Sequence, residues 1–144
     1  MAFAAFSATK SKTGGALIVK QSRDHDTLFA LFKQVNFDQN NKKNNFDWKT
    51  PINVKMSEDE LGDFLRAIRT NGESKFYHEF DGNVTTGSFR YYEIKDKEDA
   101  TKPPRCGFGL SVTKGENTIK VSLSLGAAER FSEYLKFSMD KVFE

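Results

Sequence analysis

Side chains with reactive chemistry are few in this chain. Glu58, Asp59, Glu60 and Asp63 could form the paired carboxylates that acid–base catalysis or a hard cation needs. Their setting accounts for them without that chemistry. They follow Ser57 and precede an apolar stripe, which places them in the first turn of a helix, where negative charge complements the dipole. His25 and His78 stand far apart and in no metal-ligand spacing. The single cysteine, Cys106, alternates with apolar residues and reads as an inert small hydrophobe. One cysteine also rules out an intramolecular disulfide and a cysteine-based zinc site. No glycine-rich phosphate loop precedes a helix. These residues predict no catalytic centre, no metal and no cofactor.

Cations and aromatic rings recur together instead. The first half offers Lys10, Lys12, Lys20, Phe32, Lys33, Trp48 and Lys49, the second Phe76, Tyr77, Arg90 and Tyr92. Such cations neutralise phosphates and release counterions, a contribution blind to sequence. Rings beside them stack on exposed bases at about 1–3 kcal/mol each, and every base has a π-face. The pattern points to a surface for single strands of nucleic acid. Lys10 and Lys12 flank a glycine-containing turn and are the leading phosphate contacts. Trp48 alternates with Ile52 and Val54, so core packing accounts for it as well as stacking does. Tyr91 and Tyr92 face opposite sides of one strand, which leaves one of them available. Lys42 and Lys43 fit a solvated loop equally well.

Of 144 residues, 22 are Lys or Arg and 20 are Asp or Glu, and the net charge of +2 hides an asymmetry. Residues 1–57 carry nine basic and four acidic side chains; residues 58–144 carry 13 basic and 16 acidic ones. The strand-binding surface is expected on the basic half, with the acidic remainder facing elsewhere. Fourteen phenylalanines and an aromatic content of 13% exclude a disordered chain. Phe46, Phe64, Phe108 and Phe131 are expected in the core. No apolar run approaches the roughly 18 residues of a membrane span. Met1–Thr13 lacks the basic lead and sustained apolar stretch of a secretory signal, so it is expected to belong to the mature protein. The expected location is the cytoplasm, bacterial or of a virus's host, with an organelle as the alternative.

The elements that must position these residues follow one order twice. Strands are predicted at Phe3–Thr9, Ala16–Arg23, Thr27–Phe37 (whose length would also allow a helix) and, by strict alternation, Phe46–Met56. Gly14 and Gly15 are expected to take the positive φ of a hairpin turn. Pro51 suggests an edge or a bulge. Ser57 and Glu60 form a capping box before a helix whose stripe is Leu61, Phe64, Leu65 and Ile68. Asn71-Gly72 ends it. Lys75–Phe80, Val84–Lys95, Cys106–Val112 and Ile119–Leu125 are four further strands, and a helix closes the chain over about 126–142. The predicted class is α+β, two β-β-β-β-α units forming two antiparallel four-stranded sheets with packed helices. One domain over 1–144 is expected, with units at about 1–72 and 73–144. Phe131, Tyr134, Leu135, Phe137, Met139, Val142 and Phe143 spread wider than one helical stripe. That width predicts self-association through the last helix, the alternative being a helix sunk deep in its own core.

With these segments in this order, the chain resembles the Whirly family of single-stranded-DNA-binding proteins, within the PC4/Whirly-like superfamily. The run from Lys10 to Val19 is similar to the family's Lys-Gly-Lys-Ala-Ala-Leu lead-in to the second strand, keeping both lysines with residues inserted. Phe46-Asp47-Trp48 resembles its Tyr-Asp-Trp, and the strand-into-helix segment Ile52–Leu65 matches in spacing. Phe76–Asp81 is similar to its Phe-Phe-His-Asp strand, and Gly109–Val112 to its Asn-Leu-Ser-Val. The resemblance runs from about Phe6 to Phe143. It implies binding of single-stranded DNA with little sequence preference, by a symmetric homo-oligomer, often a tetramer, built on the helices, in replication, recombination or repair. A protein-interaction or transcription-cofactor module and a single-stranded RNA binder are the alternatives on the same scaffold.

Overall fold

The structure is a computed structural model that describes residues 2–142 of the chain. β1 (Ala2–Ser7), β2 (Gly15–Gln21), β3 (Thr27–Lys33) and β4 (Ile52–Met56) form one antiparallel sheet, in that order. β5 (Glu73–Phe80), β6 (Asn83–Ile94), β7 (Arg105–Lys114) and β8 (Asn117–Ser124) form a second, also in chain order. α1 (Glu58–Thr70) follows the first sheet and α2 (Leu125–Val142) the second. The doubled β-β-β-β-α plan and the α+β class are those expected.

Side-chain alternation decides which face of each sheet is buried. Phe3 and Ala5, Leu17 and Val19, Phe29 and Leu31, and Ile52, Val54 and Met56 all point to the inner face of the first sheet. Phe76, Phe89, Phe108, Leu110, Val121 and Leu123 do the same on the second. The helices fill the space between, and one continuous core results. Phe64 of α1 stands at its centre. Its ring lies 5.6 Å from Phe29, 5.1 Å from Phe89, 6.1 Å from Phe131 and 6.3 Å from Phe76, so both sheets and both helices meet on one side chain.

The capping box at α1 forms as expected: Glu60 donates its N–H to the Ser57 hydroxyl at 3.2 Å, and Ser57 donates its own to the Glu60 carboxylate at 2.9 Å. The other oxygen of Glu60 meets His78 Nε2 at 2.7 Å, which ties the start of the helix to β5. Asn71, in the left-handed region at φ 51°, ends the helix.

Three local expectations change. β3 stops at Lys33 rather than Phe37, and β4 begins at Ile52 rather than Phe46. Pro51 has no N–H to give a ladder, and Asp47 accepts from the Lys49 amide and the Thr50 hydroxyl, which turns the chain. Phe46 keeps a single bridge to Gln34, after a 3₁₀ turn at Lys42–Asn45. Phe46 and Trp48 therefore pack on the outer face of the first sheet, opposite to Ile52 and Val54. At the first hairpin it is Lys12 that takes positive φ, at 60°, and not the glycines. Gly14 is needed for closeness instead: a Cβ there would lie 1.6 Å from the Ser7 carbonyl oxygen.

α2 sinks Ala128, Phe131, Tyr134 and Leu135 into the core of its own chain. Ser138, also buried, meets the Thr27 hydroxyl and accepts from the Gln21 side chain through its carbonyl. Much of the width of its apolar surface is thus used internally, and Phe137 is among the large apolar side chains left exposed. Phe143 and the side chain of Val142 lie outside the described residues.

Candidate nucleic-acid interface

The end of the first sheet near Ser7 and Gly15 packs against β8, and two concavities open along that seam. The first, of about 590 Å³, lies on the outer face of the second sheet and is walled by the β1–β2 turn through Thr9, Thr13 and Gly14. The second, of about 670 Å³, runs along β1 toward the start of α2. Both are lined by Ser7, Tyr92 and Ser122, so they form one continuous groove.

Six cations line it. Lys75, Arg90 and Lys120 stand in the first part; Lys42, Arg105 and Arg130 stand in the second. The lining contains one acid, Glu73, which holds Lys75 at 3.3 Å. Among the described residues, no carboxylate pairs with the other five cations. Arg130 lies over the Phe3 ring at 5.3 Å from its centroid. Lys42 is presented by a stiff loop. Asp38 accepts the amides of Asn40 and Asn41 and the side chain of Asn44. These bonds hold its carboxyl below the usual range, the Asn40 amide most of all. Trp48 clasps the same loop by donating its indole N–H to the Lys43 carbonyl at 2.7 Å.

The groove floor is built from small residues. Register places Tyr92 opposite Gly107 and Arg90 opposite Gly109. A Cβ at Gly107 would stand 2.7 Å from the Tyr92 hydroxyl and 2.4 Å from the Leu123 carbonyl oxygen. The absence of that atom lets the Tyr92 ring lie across β7, with its hydroxyl 2.7 Å from Ser122 on β8. The result is an aromatic platform on the sheet, partly open to solvent. Phe6, 48% exposed, stands in the second part of the groove. Its ring continues into Phe46 at 5.8 Å and Trp48 at 6.3 Å.

Of the residues singled out from the sequence, Arg90 and Tyr92 lie in the groove. Lys10 and Lys12 sit exposed on the turn that walls it. Tyr77 is exposed on the same sheet face, outside the groove, and donates its hydroxyl to Glu79. Phe76 turns inward, packs over Gly87 and belongs to the core, so it is not a stacking surface. Phe32 is buried beneath Trp48, their rings 4.7 Å apart, while Trp48 is 38% exposed. Lys20, Lys33 and Lys49 are exposed on or near the first sheet and do not line the groove. Tyr91 faces inward against Phe108, and the neighbouring Cys106 side chain, with burial, pushes its hydroxyl pKa up to about 12.

Sequence reasoning missed Phe6, Lys75, Arg105, Lys120 and Arg130, and left Lys42 undecided. Lys120 alternates with Ile119 and Val121, a signal that it faces outward. The others needed the strand register. Five of the six groove cations belong to the half whose net charge is acidic. Acids gather instead at the far end of the first sheet, where Asp24, Asp26, Glu58 and Asp59 line a separate depression.

No known family profile matches the chain, and no curated protein matches it by sequence. Solved structures match it in fold. A guide-RNA-binding protein complex bound to a guide RNA superposes with a TM-score of 0.58 at 14% identity, over 96% of this chain and 89% of that one. WHY1 from Arabidopsis thaliana, a Whirly protein, superposes with a TM-score of 0.54 at 14% identity, over 94% of this chain and 73% of that one. The fold is Whirly-like. Among the described residues, no helix is long and apolar enough to cross a membrane, and no group of three or more His, Cys, Asp or Glu could hold a metal.

Proposed function

We propose that the protein binds single-stranded DNA in the groove between β1 and the outer face of the second sheet. The observation that carries this reading is the line of six cations, with one acid among them, running past the Tyr92 platform to Phe6. Phosphates lie along the cations, and bases stack on the rings. A duplex keeps its bases stacked on each other and has no use for Tyr92 or Phe6. Both contributions tolerate sequence, which suits a protein that covers strands exposed in replication, recombination or repair. Assembly into a homo-oligomer through α2 belongs to the same reading, supported by the exposed Phe137; light scattering on the eluted protein measures it.

RNA is the second reading. It is favoured by the guide-RNA-binding neighbour and by a groove lined with hydroxyls from Ser7, Thr9, Thr13, Ser88, Ser111 and Ser122, since a 2′-hydroxyl both donates and accepts. A gel shift with matched single-stranded DNA, duplex DNA and RNA at two salt concentrations tests both. The expected result is tight single-strand binding that weakens steeply with salt, and weak duplex binding. Equal affinity for duplex, or no binding, overturns the proposal; preference for RNA selects the second reading.

A further inference from the structure

We infer that the groove holds one base-specific position, a guanine pocket over Gly109 read by Arg90 and Glu73. The inference rests on the groove being a single-strand site and adds a sequence preference at one point along it.

Glu73, Arg90, Gly109 and Ser122 are successive cross-strand partners, so they form one row across the outer face of the second sheet. The row is interrupted at Gly109, where an added Cβ would meet nothing within 4 Å. The gap is one side chain wide and lies between Arg90 and Ser122. The Tyr92 ring, anchored on Ser122, borders it. Lys75 and Lys120 occupy the next row, with Ser88 and Ser111 between them, and supply charge for the flanking phosphates.

The charges at the rim are arranged unusually. An acid and a base directly opposite each other on neighbouring antiparallel strands are placed to pair. Here Glu73 is held by Lys75 instead, and Arg90 has no carboxylate partner among the described residues. Glu73 is also the only acid in the groove lining. A carboxylate among phosphate contacts repels the ligand unless the ligand brings donors to it. Guanine answers both groups at once. Its O6 and N7 accept from an arginine fork, and its N1–H and 2-amino group donate to a carboxylate. Adenine sets a donor beside N7, which the arginine fork opposes. Cytosine brings one amino group, and thymine or uracil has none. A base laid against Tyr92 in the gap has Arg90 beside it and Glu73 one strand further along the same row.

Fluorescence anisotropy of an oligothymidylate with one central guanine, compared with oligothymidylate alone, measures the preference. The guanine strand is expected to bind about tenfold tighter. Hypoxanthine, which lacks the 2-amino group, and 7-deazaguanine, which lacks N7, should each lose most of that gain. Glu73→Gln and Arg90→Lys should bring the two strands together in affinity; both side chains are exposed, and a thermal melt checks that each variant folds. Equal binding of the two strands by the natural protein overturns the pocket while leaving the single-strand reading intact. So does a Glu73→Gln variant that keeps the original ratio, because Glu73 would then act as a repulsive charge alone. Failure to bind either strand overturns the groove and the pocket together.

Discussion

The side-chain carbonyl of Gln34 accepts the backbone N–H of Gly14 at 2.9 Å, inside the seam between β3 and the β1–β2 turn. The same oxygen accepts the Thr9 N–H at 2.9 Å, and the Gln34 amide donates to the carbonyls of Thr9 and Asn36. One buried side chain thus fastens the turn that walls the groove. Gln34→Leu should strand these backbone groups at about 1–3 kcal/mol each. A loss of at least about 2 kcal/mol in urea unfolding is expected, with weaker single-strand binding. An unchanged unfolding midpoint would contradict this role.

Tyr92 is expected to stack a base. Tyr92→Ala should weaken single-strand binding by about 1–3 kcal/mol, and Tyr92→Phe by much less, because the ring face does the stacking. Gly107→Ala offers a second route to the same defect, since its methyl group would collide with the ring and the Leu123 carbonyl. Titrations of the three variants against one oligonucleotide separate these effects. A Tyr92→Ala protein with natural affinity would remove the platform from the site.

Lys42, Arg105 and Arg130 come from a loop, a strand and a helix, yet line one end of the groove. Replacing all three by glutamine should lower the slope of log affinity against log salt by about 2, at about 0.7 per phosphate contact on a single strand. The same exchange at Lys20, Lys33 and Lys49, which lie outside the groove, should change the slope far less. Equal effects from the two triplets would move the interface to the first sheet.

Asp38 gives the Lys42 loop a pH dependence. Its carboxyl is held low in the folded chain by the amide of Asn40, the side chain of Asn44 and the amide of Asn41. A carboxyl depressed by folding contributes stability above its ordinary range, and that contribution is lost as pH falls through the folded value. Protection of the Asn40 and Asn41 amides against hydrogen exchange, taken relative to their intrinsic rates, should therefore fall in acid before the strands open. Asp38→Asn should remove that acid step. Loop exchange that merely tracks global unfolding would refute it.

Much of the fold could be read from residue patterns, because each device acts locally. The Ser57–Glu60 cap, the alternation from Ile119 to Leu125 and the stripe Leu61, Phe64, Leu65 and Ile68 state their own geometry. The segment from Lys33 to Pro51 did not, since alternation continued through Phe46 and Trp48 where hydrogen bonding had stopped. The groove was legible only in pieces. Arg90 and Tyr92 announce an outward face, but Lys75, Lys120 and Arg130 join them only once register and sheet packing are set. Net charge by halves did not reveal the groove for the same reason: each unit packs across the other, and five of the six groove cations come from the half with the acidic total. Phe76 misled because aromatic neighbours on one strand, Phe76 and Tyr77, go to opposite faces.

Phe64 carries a consequence for the chain's two similar halves. Its ring sits among Phe29 of the first sheet, Phe76 and Phe89 of the second and Phe131 of α2. A chain cut at Gly72 would leave the first fragment with Phe64 exposed and the second with an empty socket. Neither piece could close a core alone, but mixed together each carries what the other lacks. The halves are therefore complementing fragments rather than independent modules, and a gene encoding either one would yield a soluble, folded product only in the company of its partner.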